Sequence, residues 1–173
     1  MANFDRYKNN CARIDWAIMM AGSISIYYDC NILHKDLDWL EKHDYISISL
    51  DFSTIDSIET FHKEIKKMCN FPEYYGENMS ALGDCLLHDL KIPFEGGLVL
   101  IFKSFNLFYQ KDKTMAHEIL ERISVASRRR ILSGERLIML IQSQDPHFSP
   151  DMVGAYHVLW NRNEFVDKRR IKE

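Results

Sequence analysis

An aspartate and a histidine lie four residues apart between residues 71 and 90, and this spacing places Asp84 and His88 on one face of a helix. Such a pair can bind a metal ion or serve as an acid–base couple. A metal site would need a third ligand, and the sequence does not choose between His62 and His117. The chain has no H-E-x-x-H, G-x-S-x-G or phosphate-binding glycine-loop motif. We therefore expect no catalytic residues, no metal and no cofactor.

The residues around this pair are of types that favour protein recognition. Ser80 continues the four-residue spacing of Asp84 and His88, and two tyrosines, Tyr74 and Tyr75, precede the helix. A tyrosine ring offers a large contact area at a low entropic cost, and a carboxylate is a strong anchor for an arginine. The sequence predicts a solvent-facing strip that binds a protein partner. An ordinary amphipathic helix with a polar outer face is the alternative.

A loop and a capped helix are predicted to position these side chains. Pro72 cannot lie inside a helix, and we expect Gly76 to adopt a backbone conformation that other residues resist. Asn78 is a suitable N-cap because its side-chain oxygen accepts a hydrogen bond from a free N–H group of the first turn. The helix then runs from Met79 to about Asp89, and its predicted buried side contains Met79, Leu82, Cys85, Leu86 and Leu90.

Residues 71–86, FPEYYGENMSALGDCL, resemble the signature of the barstar-like family of intracellular ribonuclease inhibitors, and a weaker resemblance extends over about residues 45–142. The resemblance implies a small parallel sheet flanked by helices, with a loop and helix that block the active site of a ribonuclease. Carried over by position, the loop tyrosine is Tyr74, the cap is Asn78, and Asp84 is the carboxylate that takes the place of a substrate phosphate.

The resemblance also implies a partner-binding site, although the chain departs from the family at two positions. Barstar has an aspartate where this chain has Ser80, and a tryptophan where it has Gly83. We therefore expect the partner to be a basic nuclease toxin other than barnase, with this chain as the bacterial immunity protein or antitoxin in the cytoplasm. A non-inhibitory interaction or regulatory module on the same fold is the alternative. The predicted site consists of Tyr74, Tyr75, Gly76, Asn78, Ser80, Gly83, Asp84 and His88.

Charge and composition agree with a protein partner. The net charge is −3, but residues 73–95 contain five acidic residues against a single lysine, so we expect no direct contact with nucleic acid there. The basic end KRRIKE is the alternative nucleic-acid contact, although a solvated terminus is the simpler interpretation. No apolar run is long enough for a membrane helix, and residues 16–22 lack the features of a signal peptide. The four cysteines are expected to be reduced, and the sequence does not predict an oligomeric state.

Residues 45–51 alternate between apolar residues and serines, which predicts a strand that is polar on one side. The apolar segments at 98–102 and 137–141 predict two buried strands of the same α/β fold. Helical patterns separate them, so the strands are expected to form a small parallel three-stranded sheet flanked by helices. We expect Asp56 to cap the first of these helices and Thr114 to cap the last. Before the core, a strand at 23–28 and a helix at about 31–43 are predicted additions.

The predicted organisation has three parts. Residues 1–44 form an N-terminal extension packed on the core, residues 45–142 form the barstar-like domain, and residues 143–173 form a C-terminal extension. Within the extensions, we expect a short strand or turn at 14–21 and a helix at about 149–160. The arginine run at 128–130 is predicted to be the exposed end of a helix, where cations are favourable.

Overall fold

The computed structural model describes residues 10, 12–166 and 170, which form six α-helices and five β-strands. The elements in chain order are α1 (Ile14–Met20), β1 (Ile24–Tyr27), α2 (Cys30–Glu41), β2 (Tyr45–Asp51), α3 (Ile58–Met68), α4 (Met79–His88), β3 (Gly97–Lys103), α5 (Phe105–Lys111), α6 (Lys113–Leu132), β4 (Leu137–Gln142) and β5 (Leu159–Trp160).

The strands form one parallel sheet in the order β2-β3-β4-β1-β5. The three predicted core strands are neighbours, with Leu98 of β3 opposite Ile46 of β2 and opposite Leu137 of β4. The predicted N-terminal strand, β1, pairs with the other side of β4, where Ile24 lies opposite Met139. The predicted α/β class is confirmed, and β5 adds a strand that the sequence analysis did not predict.

Helices cover both faces of the sheet, as the apolar strands of a parallel sheet require. On one face, α1 and α2 contribute Ile18 and Leu40 to a buried cluster with Val99 and Ile138. On the other face, the apolar stripes of α3, α4, α5 and α6 form a larger cluster. The helix that carries the predicted site, α4, lies in this second layer and packs against α6.

The sheet extends across the predicted boundaries at residues 44 and 142. β1 comes from the first part of the chain and β5 from the third, and β1 pairs with both β4 and β5. The division into three parts stays a prediction. The strand pairing nevertheless joins both extensions to the core through backbone hydrogen bonds.

The strand or turn predicted at 14–21 is wrong, because this segment forms helix α1. Ile14 and Ile18, four residues apart, supply its buried side. The carboxylate of Asp15 accepts the N–H of Trp16 at 2.8 Å and pairs with both Nε and Nη2 of Arg13 at 3.0 and 2.8 Å. An acidic residue in the first turn is favourable because it satisfies a free N–H group and opposes the helix dipole.

The helix predicted at 149–160 is also wrong. Gly154 and Ala155 have φ angles of 56° and 69°, which lie in the left-handed region and cannot continue a helix. Val153 and Tyr156 exchange backbone hydrogen bonds of 2.8 and 3.0 Å across this turn. The chain therefore reverses before it enters β5.

Two helix caps differ from the prediction by one or two residues. Ser57, and not Asp56, caps α3 by accepting a backbone N–H three residues later at 3.2 Å. Asp112, and not Thr114, caps α6 in the same way at 3.0 Å. Both residues are of the types that cap helices, so the error lies in position and not in mechanism.

A buried polar network connects the last strand to α2. Asp36 accepts a hydrogen bond from the Tyr27 hydroxyl at 3.0 Å and another from the Asn161 side chain at 2.6 Å. All three residues are buried. The backbone N–H of Asn161 also donates to the carbonyl of Ile26 at 2.8 Å. These contacts fix the segment after β5 against β1.

Replacing Asp36 with alanine should lower the free energy of unfolding by about 3 kcal/mol, because two buried donors lose their charged acceptor. Asp38 lies on the same helix but is exposed, and its replacement with alanine should change the free energy of unfolding by less than about 0.5 kcal/mol. Urea denaturation of both variants beside the wild type measures the difference. Equal losses in the two variants would contradict a stabilising role for the network.

Candidate functional site

The loop before α4 is anchored by a buried tyrosine. Tyr75 is 4% exposed, and its hydroxyl lies 2.5 Å from Nδ1 of His62 on α3. The rings of Tyr75 and Phe71 pack with their centroids 5.1 Å apart. The prediction that Tyr75 belongs to a solvent-facing strip is therefore wrong, because this side chain holds the loop to the core.

The left-handed residue of this loop is Glu77 and not Gly76. Glu77 has a φ of 48°, whereas Gly76 is not among the residues with positive φ. The carbonyl of Gly76 accepts a hydrogen bond from Nδ2 of Asn78 at 3.0 Å, and a Cβ atom on Gly76 would lie 3.0 Å from the same nitrogen. Gly76 therefore occupies a position that a larger residue would resist, because of the close approach of the Asn78 side chain and not because of a left-handed backbone.

Helix α4 begins at the predicted cap. Oδ1 of Asn78 accepts the N–H of Ala81 at 2.9 Å. The inner side of the helix buries Leu82, Cys85 and Leu86, as the spacing predicted. Burial raises the pKa of the Cys85 thiol to about 11, so this side chain is neutral at physiological pH and packs as a small apolar group.

The other end of α4 is held by a buried arginine of α6. The N–H of Leu90 donates to the carbonyl of Cys85 at 2.9 Å, and so does not reach the carbonyl of Leu86 as a regular helical bond would. Arg130 donates instead, from Nε to the Leu86 carbonyl at 2.5 Å and from Nη2 to the Leu90 carbonyl at 2.8 Å. Its third nitrogen donates to Glu135 at 2.6 Å. Arg130 therefore fixes α4 to α6.

The prediction of an exposed arginine run is thus wrong for Arg130, which is 4% exposed, while Arg128 and Arg129 are exposed. The sequence contains a signal for this difference. Arg130 follows the buried Ile123 by seven residues and therefore lies on the same stripe of α6.

Tyr74 stands on the surface beside α4, with an exposed fraction of 74%. Its hydroxyl donates to Oδ1 of Asp89 at 2.5 Å, and this hydrogen bond raises the pKa of Tyr74 to about 12. Asp89 therefore orients the exposed ring. The sequence analysis gave Asp89 no such role, because a contact across a loop and a whole helix leaves no periodic pattern.

The outer side of α4 exposes Ser80, Asp84 and His88. Among the residues that the structure describes, the Asp84 carboxylate has neither a hydrogen-bond partner nor an ion-pair partner. An exposed carboxylate on a helix that is fixed at both ends is available to a cation from another molecule.

A recess, here called the notch, lies between α4 and α6 beside Asp84. Its volume is about 210 Å³, and its walls include Gly83, Asp84 and Leu87 of α4. Arg122 and Arg129 of α6 line the opposite wall. The notch brings together three predicted site residues, Ser80, Gly83 and Asp84, whereas Tyr74 and His88 lie outside its lining.

In the described part of the chain, no group of three or more His, Cys, Asp and Glu residues is placed to hold a metal ion. Of the two third ligands considered for Asp84 and His88, His62 contacts Tyr75 and His117 lies near Glu121 on α6. No helix in that part is long and apolar enough to cross a membrane.

Most of the basic end KRRIKE lies outside the described residues. Arg170 is described, and it is buried. Its Nε donates to the carbonyl of Pro146 at 2.9 Å, and its guanidinium lies over the Trp160 ring at 4.3 Å from the centroid. The prediction of a solvated terminus is therefore wrong for Arg170.

Comparisons with known proteins agree with this fold. The family model described as "Barstar (barnase inhibitor)" matches residues 45–141, and the chain therefore belongs to the barstar family. It is similar to "Putative ribonuclease inhibitor YrdF" of Bacillus subtilis (strain 168), with 34% identity over 79 residues, which are 46% of this chain and 82% of that protein.

A solved structure shows a likeness of fold. The Aeropyrum pernix ORC2 protein (ADPNP-ADP complexes) aligns with 79% of this chain at a TM-score of 0.51 and 14% identity. The chain spans 39% of that protein's chain. At this identity the likeness concerns the arrangement of strands and helices alone.

Replacing Arg130 with alanine should lower the free energy of unfolding by about 3 kcal/mol or more, because the carbonyls of Leu86 and Leu90 and the Glu135 carboxylate lose a buried charged partner. Arg129 is the matched control, since it is the adjacent arginine of the same helix and is exposed. Its replacement with alanine should cost less than about 0.5 kcal/mol. Chemical denaturation measures both, and similar losses would contradict the role given to Arg130.

The free energy of unfolding should fall in mild acid because His62 becomes protonated more readily in the unfolded chain. Burial lowers the pKa of His62 below its usual 6.5, so the unfolded chain takes up a proton there at a higher pH than the folded chain. The contribution of His62 is therefore complete above about pH 6.5 and is lost as the pH falls. Urea denaturation at about pH 7.5 and about pH 5.5 should show a larger loss for the wild type than for His62→Gln. An equal loss in both would contradict this assignment.

Proposed function

We propose that this protein inhibits a nuclease by covering its active site with the loop at 71–78 and helix α4. The observation that carries the proposal is the Asp84 carboxylate, which is exposed, has no partner among the described residues, and lies on a helix fixed by Asn78 and Arg130. A carboxylate in this position can replace a substrate phosphate among the cations of a nuclease.

The surroundings of Asp84 support a basic protein partner. Tyr74 presents its ring beside the helix in an orientation held by Asp89, so little side-chain entropy is lost on binding. The acidic residues between 73 and 95 produce a field that attracts a positively charged protein and raises its rate of association. Tyr75 does not belong to this surface, because its side chain is buried. Gly76 and Asn78 contribute to the surface by fixing the shape of the loop.

The biological role that fits this activity is protection of a bacterial cell against a nuclease toxin. Family membership and the name of the similar Bacillus protein support an inhibitor of ribonucleases. We place the protein in the cytoplasm, as an immunity protein or antitoxin with no catalytic activity of its own. The site differs from that of barstar at Ser80 and Gly83, which supports a target other than barnase.

Replacing Asp84 with alanine should weaken inhibition most, by about 30-fold or more, because the cations that bind the carboxylate lose their partner. Tyr74→Ala should weaken it next, by about tenfold. The assay measures cleavage of a fluorogenic RNA by secreted-protein fractions from the bacterium that encodes the chain and from its competitors. Each fraction is titrated with wild type and variants.

Asp38→Ala is the control for this assay, because Asp38 is an exposed carboxylate on α2 and not on α4. It should inhibit like the wild type. Unchanged inhibition by Asp84→Ala would place the working surface elsewhere, and the absence of inhibition of any fraction by the wild type would favour a non-inhibitory interaction module.

A further inference from the structure

Gly83 lines the notch between α4 and α6 and adds no side chain to its space. Gly83 does not have a positive φ, and a Cβ atom there would lie 3.5 Å from Cδ of Arg122, which is an ordinary contact distance. Neither the backbone nor the packing of the two helices therefore requires glycine. Since glycine in a helix interior is unfavourable, the fold retains a destabilising residue that leaves this space open.

The notch presents one cation and one anion that are both available. Arg122 is paired with Glu118 at 2.9 Å on its own helix. Arg129 is exposed and, like Asp84, has no ion-pair or hydrogen-bond partner among the described residues. A surface of uniformly positive charge can satisfy Asp84 but would be repelled by Arg129. The complementary surface therefore carries a carboxylate beside its cations.

The dimensions of the notch suit a single side chain. Its volume of about 210 Å³ is below the roughly 300–1,000 Å³ of pockets that hold small molecules. Leu87 and Val125 give its walls an apolar part, against which the methylene groups of a long acidic side chain can pack. A glutamate has both the apolar stem and the terminal carboxylate that these walls require.

We propose that the notch receives an acidic side chain of the nuclease, which pairs with Arg129 while Asp84 binds a neighbouring cation of the same active site. This inference rests on the proposed function. Cleavage of a phosphodiester commonly uses a general base, which can be a carboxylate, beside cations that stabilise the charge on the phosphate. Arg129 is opposite in charge to the carboxylate base, and Asp84 is opposite in charge to the cations. Because Gly83 has no side chain, the base has room to enter the notch.

The test repeats the RNA-cleavage titration with variants that fill the notch or reverse one of its charges. Gly83→Trp closes the space, and Arg129→Glu reverses the charge. Each should weaken inhibition by about tenfold or more, whereas Arg129→Lys, which keeps the charge, should remain within about threefold of the wild type. Lys63→Glu is the control for net charge, because Lys63 is exposed on α3, and it should also remain within about threefold.

A second test compares the thermal stability of one variant with its inhibition. Gly83→Ala should raise the thermal midpoint by about 2–4 °C, because alanine is the better helix former and its Cβ atom meets no close contact. The same variant should inhibit less well than the wild type. We expect Gly83→Ala to be more stable and a weaker inhibitor, because the added methyl group occupies space that the partner side chain needs. A lowered thermal midpoint would contradict this account of Gly83.

The outcomes separate this inference from the proposed function. If Asp84→Ala loses inhibition while Gly83→Trp and Arg129→Glu inhibit like the wild type, the notch is not a contact and the inhibitor assignment stands. If Arg129→Glu and Lys63→Glu weaken inhibition equally, net charge explains the effect and the notch is again excluded. If the wild type inhibits no fraction, both proposals fall.

Discussion

The candidate site depends on the hydrogen bonds that Arg130 donates across the boundary between two helices. Helix α4 ends with carbonyls that its own backbone leaves unpaired, and the guanidinium of Arg130 supplies their donors from inside α6. Burial of this charge is tolerable because Glu135 neutralises it at 2.6 Å. The same contact sets the spacing of α4 and α6, and the two walls of the notch therefore keep a fixed separation.

A rigid scaffold of this kind lets a few exposed groups determine specificity. The cap at Asn78 and the contact at Arg130 hold the helix, His62 and Tyr75 hold the loop, and Asp89 orients Tyr74. Under the proposed function, binding would require little reorganisation, which is the condition under which a single carboxylate contributes most. Ser80 is exposed, and Gly83 has neither a positive φ nor a close neighbour that would require glycine.

The sequence predicted the fold well because the strongest signals are local. The apolar strands β3 and β4 and the cap at Asn78 follow directly from residue type and spacing, and so does the buried side of α4. Some errors are local, at the segments 14–21 and 149–160 and at two helix caps. The errors over Tyr75 and Arg130 concern contacts between distant parts of the chain. Tyr75 has the composition of a recognition residue, and its burial against α3 leaves no pattern in the sequence. The arginines beside Asp84 come from another helix, so the mixed charge of the notch appears only when α4 and α6 are brought together.

The order of the strands in the sheet affects how the chain can fold during its synthesis on the ribosome. Of the described strands, β1 is the first to be synthesised, yet both of its neighbours, β4 and β5, come from the last third of the printed sequence. The nascent chain must therefore carry an apolar, unpaired strand through most of its synthesis, and non-local pairings of this kind form slowly. During that interval both edges of β1 are open to association with other chains. A chaperone that binds exposed apolar segments would meet the nascent chain while β1 is still unpaired.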